Sequence, residues 1–284
     1  MKSSLKIKCP AKVNLSLDVV GRREDGYHNL EMIMHTVRLW DILTIGYEVS
    51  PTIRLTLSTN SGFLPTDDKN LCARAARLFL EGANLCGNVV IHIQKNIPVG
   101  AGLGGGSSDA AGTLLALSRL TGNPLSPSKL TEIAKSIGAD VPFFLYGGCM
   151  LAEGIGEVLT PLPKLKNTTI LIAKPKYGIS TPSVYKNLVL DENTPHPHTK
   201  TVIEAIKAND IKLLAASAGN VLETAVCHKH PEINQYKNIM TSCGAAYALM
   251  SGSGSSVFGV FENRSMAVYA ANKLKRLTKQ VYLA

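Results

Sequence analysis

The chain has 284 residues, 45% hydrophobic and 18% charged, a balance that buries one large core or two modest ones. No run approaches the roughly eighteen apolar residues of a membrane crossing, and the start, Met1-Lys-Ser-Ser-Leu-Lys6, lacks secretory character, so a cytoplasmic protein is expected. The net charge of +9 comes from scattered lysines, not a basic block; this argues against nucleic acid and suits an anionic small-molecule substrate, though solubility alone accounts for it equally well.

Cysteines stand at 9, 72, 86, 149, 227 and 243 with no Cys-x-x-Cys pair, which excludes a zinc ribbon and a dithiol redox motif. Several lie in apolar runs and read as buried thiols. Cys227-His-Lys-His230 is at most half a metal site, and without a second ligand pair it reads as a solvated helix end.

In chain order, Leu5–Ile7 and Val13–Val20 read as strands. Val13-Asn-Leu-Ser-Leu-Asp-Val alternates apolar and polar residues, so Lys12 and Asn14 share one polar face. They either reach a bound anion or hydroxyl, or simply face solvent. Gly21–His28 is a polar turn ending in Tyr27-His28, an aromatic and an imidazole suited to a flat ring. Met32–Leu39, Asp41–Val49 and Thr52–Ser58 read as further strands, and strands arriving before any helix predict an α+β fold with a mixed or antiparallel sheet. Asn70–Gly82 carries helical spacing, and Val89–Ile93 is an apolar strand.

Next comes Pro98-Val-Gly-Ala-Gly-Leu-Gly-Gly-Gly-Ser-Ser108, running into a helix over Asp109–Leu120. Glycine lets the backbone approach an anion closely, and unpaired N–H groups at a helix start attract one. Ser107, Ser108 and Asp109 are suitable caps for that helix. The loop lacks the Gly-Lys-Ser/Thr of a Walker A motif. Its Gly-x-Gly-x-x-Gly match is weak, because no acidic residue follows at the distance a dinucleotide fold requires. A protein-kinase loop is excluded as well, with neither the following valine nor an HRD motif present.

Ser126–Ile137 predicts a helix with Pro127 at its first position. Asp140 follows, between a glycine and an apolar stretch, as a candidate base or as the cap of a short helix beginning at Val141-Pro142, two roles that can coexist. Cys149–Glu153, Glu157–Thr160 and Thr168–Ala173 read as strands. The two prolines of Pro161-Leu-Pro163 mark a boundary between domains 1–160 and 161–284. Ser183–Leu188 reads as a short helix carrying Tyr185. Helices are predicted at about 200–208, 210–227, 231–242 and 265–277, and strands at Tyr247–Met250, Ser256–Phe261 and Val281–Leu283. Ser251-Gly-Ser-Gly-Ser-Ser256 is a second small-residue turn.

These segments resemble the GHMP kinase family. The resemblance is carried by Pro98–Ser108 with Asp109-Ala-Ala, Ser251–Ser256, Pro10-Ala-Lys-Val-Asn-Leu15, Gly21–His28, Gly138-Ala-Asp-Val-Pro-Phe-Phe144, Glu153-Gly-Ile-Gly-Glu157 and Ser180-Thr-Pro-Ser-Val-Tyr185. Gly26-Tyr-His28 discriminates within the family, while 190–240 carries no motif. The resemblance implies a two-lobed α+β fold, with an N-terminal lobe like ribosomal protein S5 domain 2, a ferredoxin-like C-terminal lobe and the active site in the cleft between them. It implies transfer of the ATP γ-phosphoryl group, with Mg²⁺, to the 2-hydroxyl of a cytidine diphosphate-linked methylerythritol. Mevalonate or homoserine kinase activity is the alternative. Lys12 and Asp140 are the implied catalytic pair, and Pro98, Val99, Gly100, Ala101, Gly102, Leu103, Gly104, Gly105, Gly106, Ser107 and Ser108 the implied ATP phosphate loop. Asn14 is an implied substrate contact, with Tyr27, His28 and Tyr185 at the cytosine. A monomer or weak homodimer acting without nucleic acid or membrane partners is expected.

Overall fold

Two long strands begin the chain in the computed structural model, which describes residues 3–24, 26, 28–62 and 64–284. They are β1 (Ser3–Arg22) and β2 (His28–Val49), paired with each other. Each joins segments that the sequence splits into separate strands, since extended backbone continues through Pro10 and through Trp40. Then follow β3 (Arg54–Thr59), α1 (Leu71–Gly82), β4 (Gly87–Gln94), α2 (Gly105–Leu120), α3 (Pro127–Ile137), α4 (Val141–Tyr146), β5 (Cys149–Gly154), β6 (Val158–Leu162) and β7 (Thr169–Lys174). The remainder is α5 (Thr181–Asn187), α6 (Thr199–Ala208), α7 (Ile211–Ser217), α8 (Glu223–Val226), α9 (Pro231–Ser242), β8 (Tyr247–Met250), β9 (Val257–Phe261), α10 (Arg264–Leu274) and β10 (Gln280–Leu283). None of the helices is long and apolar enough to cross a membrane, among the described residues.

The chain forms two compact units. The first holds residues up to Ala11, Trp40–Ile97 and Gly104–Gly147. There β2 runs antiparallel to β4, from Ile42 opposite Gln94 to Val49 opposite Gly87, and β3 lies parallel to β4. Alternation along β4 buries Val89, Ile91 and Ile93, which join Ala75, Phe79 and Leu80 of α1 and Leu114 and Leu117 of α2 in one core. Asn70 caps α1 by accepting from the Cys72 amide at 2.9 Å, and Ser126 caps α3 by accepting from Lys129 N at 3.2 Å. Gly112 lets α2 approach β1, since a Cβ there would lie 2.3 Å from Cys9 Sγ.

α2 starts four residues earlier than its sequence predicts. Gly104, with φ 69°, is its N-cap and offers no side-chain cap. Ser107, Ser108 and Asp109 therefore lie inside the helix instead of capping it. The glycines wind directly into the first turn, because a left-handed residue at the entry is open to Gly and strained for most others.

The second unit holds Lys12–Leu39, Pro98–Leu103 and Gly148 onward. Leu30–His35 of β2 pair antiparallel with Cys149–Gly154 of β5, and β5 pairs with β6. A second, all-antiparallel sheet has the order β10-β7-β9-β8. Its strand β7 is buried at every position, as a continuous apolar run dictates, and α9 and α10 pack on this sheet.

The single helix predicted over 210–227 is two short ones, α7 and α8. Between them the backbone turns to meet β1: Leu17 N donates to Gly219 O at 2.8 Å, and Val221 N to Leu17 O at 3.1 Å. Gly219 and Asn220 are poor helix formers, and strand-like pairing takes the place of the helical bonds.

Candidate active site

In the second unit, Lys12 and Asn14 share a face of β1, as alternation requires. That face is covered rather than solvated, so Lys12 is 4% exposed and Asn14 fully buried. Lys12 Nζ donates to Asn14 Oδ1 at 2.6 Å. A buried ammonium needs such acceptors, since burial without them is costly. The Lys12 backbone amide donates to Leu103 O at 3.0 Å, which ties this strand to the first part of the glycine loop.

Pro98–Leu103 is in turn joined to the small-residue turn Ser251–Ser256. Ser251 Oγ donates to Gly102 O at 3.0 Å, and Ser256 N to Ala101 O at 3.2 Å. At Gly102, with φ +71°, a Cβ would meet Ser251 O at 2.0 Å, so glycine is required there. Gly252 closes the arrangement. Its Cβ position is 3.3 Å from Asn14 Oδ1, 3.3 Å from Gly102 O and 3.4 Å from Lys12 Nζ. Strand, loop and turn thus meet around one ammonium.

His28 and Tyr185 also come together in this unit. Their rings stack with centroids 5.3 Å apart and planes 26° apart. Tyr27 lies outside the described residues. His230, part of the weighed Cys227–His230 metal site, stacks on Tyr177 at 4.8 Å. Among the described residues no cluster of three or more His, Cys, Asp or Glu could hold a metal.

In the first unit, Gly104–Ser108 form the N-terminus of α2. Ser108 Oγ and Asp109 Oδ1 are buried there without a hydrogen-bond partner among the described residues. Behind them lies a charge cluster that motif reading missed. Lys95 Nζ bridges Asp41 Oδ2 at 2.5 Å and Asp109 Oδ2 at 2.6 Å. Asp41 Oδ1 accepts from the amides of Asn96 and Ile97 at 2.6 and 2.8 Å. Both ends of the glycine loop are therefore held, at Ile97 and at Asp109. Burial pushes the Asp109 carboxyl up to about 7 against the pull of Lys95, and the charge of Asp41 adds to the rise. Burial disfavours the Lys95 ammonium, yet Asp109 and Asp41 keep its pKa above the ordinary value. The sequence signal was faint: an acid inside a strand and a lysine just before the loop.

Asp140 directly precedes α4 with helical backbone, and its carboxylate makes no capping bond to that helix. Asp140 thus holds the N-cap position of α4 without a side-chain bond to it.

The chain matches the GHMP kinases N terminal domain over residues 70–148 and the GHMP kinases C terminal domain over residues 202–279. A 4-diphosphocytidyl-2-C-methyl-D-erythritol kinase of Lachnoclostridium phytofermentans is 45% identical over 271 residues, covering 95% of this chain and 92% of that protein. The chain belongs to the GHMP kinase family. A relative of the same name from Alkaliphilus metalliredigens is 43% identical, covering 98% of this chain and 95% of its own. Among solved structures, 4-(cytidine 5'-diphospho)-2C-methyl-D-erythritol kinase is 36% identical with a TM-score of 0.82, covering 98% of each chain. A homoserine kinase from Cytophaga hutchinsonii is 22% identical with a TM-score of 0.80, covering all of this chain and 95% of the other; at that identity it speaks for the fold alone. The α+β architecture with its two sheets is that of the GHMP kinases.

Proposed function

We infer that this GHMP kinase uses ATP to phosphorylate the 2-hydroxyl of 4-diphosphocytidyl-2-C-methyl-D-erythritol, giving the 2-phosphate and ADP in the non-mevalonate route to isoprenoid precursors. One observation carries the choice of substrate: relatives named for that activity are 43–45% identical along nearly the whole chain. The mevalonate and homoserine alternatives rest on likenesses of 16–22% identity, which bear on fold only. The same reading takes 1–160 and 161–284 as the two sequence domains.

In this mechanism the hydroxyl oxygen attacks the γ-phosphorus, the bond to the β-phosphate oxygen breaks, and the hydroxyl proton passes to Asp140. Little covalent work falls to the protein, so catalysis is alignment and charge stabilisation. The amides of Pro98–Ser108 and the start of α2 hold phosphate oxygens. Lys12, steadied by Asn14, stabilises charge as the phosphoryl group moves and keeps Asp140 ionised. Mg²⁺ would neutralise the phosphates. It is an oxygen-seeking ion that completes its shell with phosphate oxygens and water, and the buried Ser108 Oγ, without a partner among the described residues, fits that use. Tyr27, His28 and Tyr185 bind the cytosine, and energy spent there positions the distant hydroxyl.

The test is a phosphorylation assay with labelled ATP that offers the cytidylated alcohol, mevalonate and homoserine separately. Transfer to the first alone is expected, and transfer to mevalonate or homoserine in its place overturns the assignment.

A further inference from the structure

Residues 190–240 carry no motif, yet one short segment of them reaches the Lys12 cluster. Asn220 is 6% exposed, and its side chain makes three bonds. Nδ2 donates to Met250 O at 2.7 Å and to Gly252 O at 2.8 Å, and Oδ1 accepts from Leu222 N at 3.0 Å. The two carbonyls on either side of Ser251 thus converge on one NH₂ group, which spends both its hydrogens on them. Glu223 accepts from Met250 N at 2.7 Å through Oε1 and pairs with Lys237 through Oε2. Both backbone groups of Met250, the last residue of β8, are held by this segment. The segment is itself paired with Leu17 on β1, the strand that carries Lys12 and Asn14.

The bonds form a circuit. β1 holds 219–221; Asn220 and Glu223 hold Met250 and Gly252; Gly252 sits against Lys12 and Asn14; Ser251 binds Gly102 of the glycine loop. We propose that Asn220, assisted by Glu223, is a positioning residue for phosphoryl transfer, seating the Ser251–Ser256 turn against the Lys12 ammonium and the glycine loop. This rests on the kinase reading of Lys12 and the loop given above. Asn220 touches no reacting atom; it acts through Gly252 and Ser251. Loss of its two donors leaves two buried carbonyls unpaired and frees the turn to shift. Misplacement of about 1 Å can cost roughly a hundredfold in rate.

The test compares Asn220→Asp and Asn220→Ala with the parent enzyme. Asn220→Asp keeps the shape and the acceptor for Leu222 N. Ionised, it donates nothing; protonated, it donates one bond. Glu223 with Lys237, and Lys12 beyond Gly252, are the charged groups in the same network. Burial and two facing carbonyls raise that carboxyl's pKa, so part of the lost rate returns as pH falls. We expect kcat about a hundredfold lower at pH 8, with KM for the alcohol changed less than about threefold, and a deficit relative to parent that narrows toward pH 6. Asn220→Ala has the low kcat without the pH recovery. Parental kcat in Asn220→Asp, or a loss equal at every pH, overturns the proposal. Hydrogen exchange provides a readout independent of the substrate. Should the parent fail to phosphorylate the alcohol, the functional assignment fails, whereas the positioning role still requires faster exchange in Pro98–Leu103 and Ser251–Ser256 of both variants. Unchanged exchange there overturns it.

Discussion

Lys12 Nζ donates to Asn14 Oδ1 across 2.6 Å, between two buried side chains on one face of one strand. A neutral amide orients the ammonium without cancelling its charge, whereas a carboxylate in its place would do both. Asn14→Asp therefore lowers kcat by about tenfold or more with the fold intact, since a carboxylate added at that distance offsets positive charge that the transferring phosphoryl group draws on. Lys12→Met lowers it further. Steady-state kinetics with thermal denaturation check this, and an Asn14→Asp enzyme of parental kcat would remove the charge argument.

Gly252 and Gly122 separate strain from site. Both have positive φ, +55° and +81°, so alanine at either costs on the order of 1–2 kcal/mol. At Gly122 nothing lies within 4 Å of the added Cβ, while at Gly252 it meets Asn14 Oδ1, Gly102 O and Lys12 Nζ at 3.3–3.4 Å. Gly122→Ala lowers the Tm but keeps kcat. Gly252→Ala lowers the Tm comparably and also loses at least tenfold in kcat, because the groups it crowds align the reaction. Equal kcat in the two variants contradicts the proposed site.

Asp140→Asn keeps volume and removes the proposed base. A placed base contributes roughly 10²–10⁴ in rate, so kcat falls at least about a hundredfold while an ATP analogue binds with parental affinity by calorimetry. Near-normal turnover eliminates Asp140 as the proton acceptor.

Tyr185 stacks with His28 at 5.3 Å, which gives the predicted aromatic site a partner on described residues. Tyr185→Ala raises KM for the cytidylated alcohol by about tenfold or more, the scale of one to three kcal/mol per stacked base, and leaves KM for ATP within twofold to threefold. A matching rise for both substrates would refute the stacking role.

What was legible in the chain is whatever local chemistry writes on neighbouring residues. The strand-loop-helix around Pro98–Ser108, the helices beginning near Asn70 and Ser126, and the shared parity of Lys12 and Asn14 all follow from spacing within a few residues. The covering of the Lys12 face did not follow, because alternation along β1 gives no sign of what packs over its polar side. The charge cluster joins Asp41, Lys95 and Asp109, more than fifty residues apart at its extremes, and each member alone is an ordinary charged residue. Asn220 was hidden inside an expected helix. Gly219-Asn220 is a fair breaker, but the competing attraction, the backbone of Leu17, lies some two hundred residues upstream.

His35 predicts how stability depends on pH. It is 8% exposed, and its Nε2 accepts from Leu165 N at 3.4 Å. Burial is the main cause that lowers its pKa from 6.5 to about 4, and nearby Lys164 works in the same direction. The folded protein thus resists protonation that the unfolded chain accepts. This contribution is fully present above pH 6.5, erodes as pH falls through that value, and is gone below about 4. At about 1.4 kcal/mol per pKa unit, the loss across the window is about 3 kcal/mol. His35→Gln removes the titration and can still accept from Leu165 N, so it starts less stable at pH 8 and its stability falls less steeply below pH 6.5. Urea denaturation at intervals from pH 8 to 4.5 measures both slopes, and parallel curves for parent and variant would exclude His35 as the titrating group.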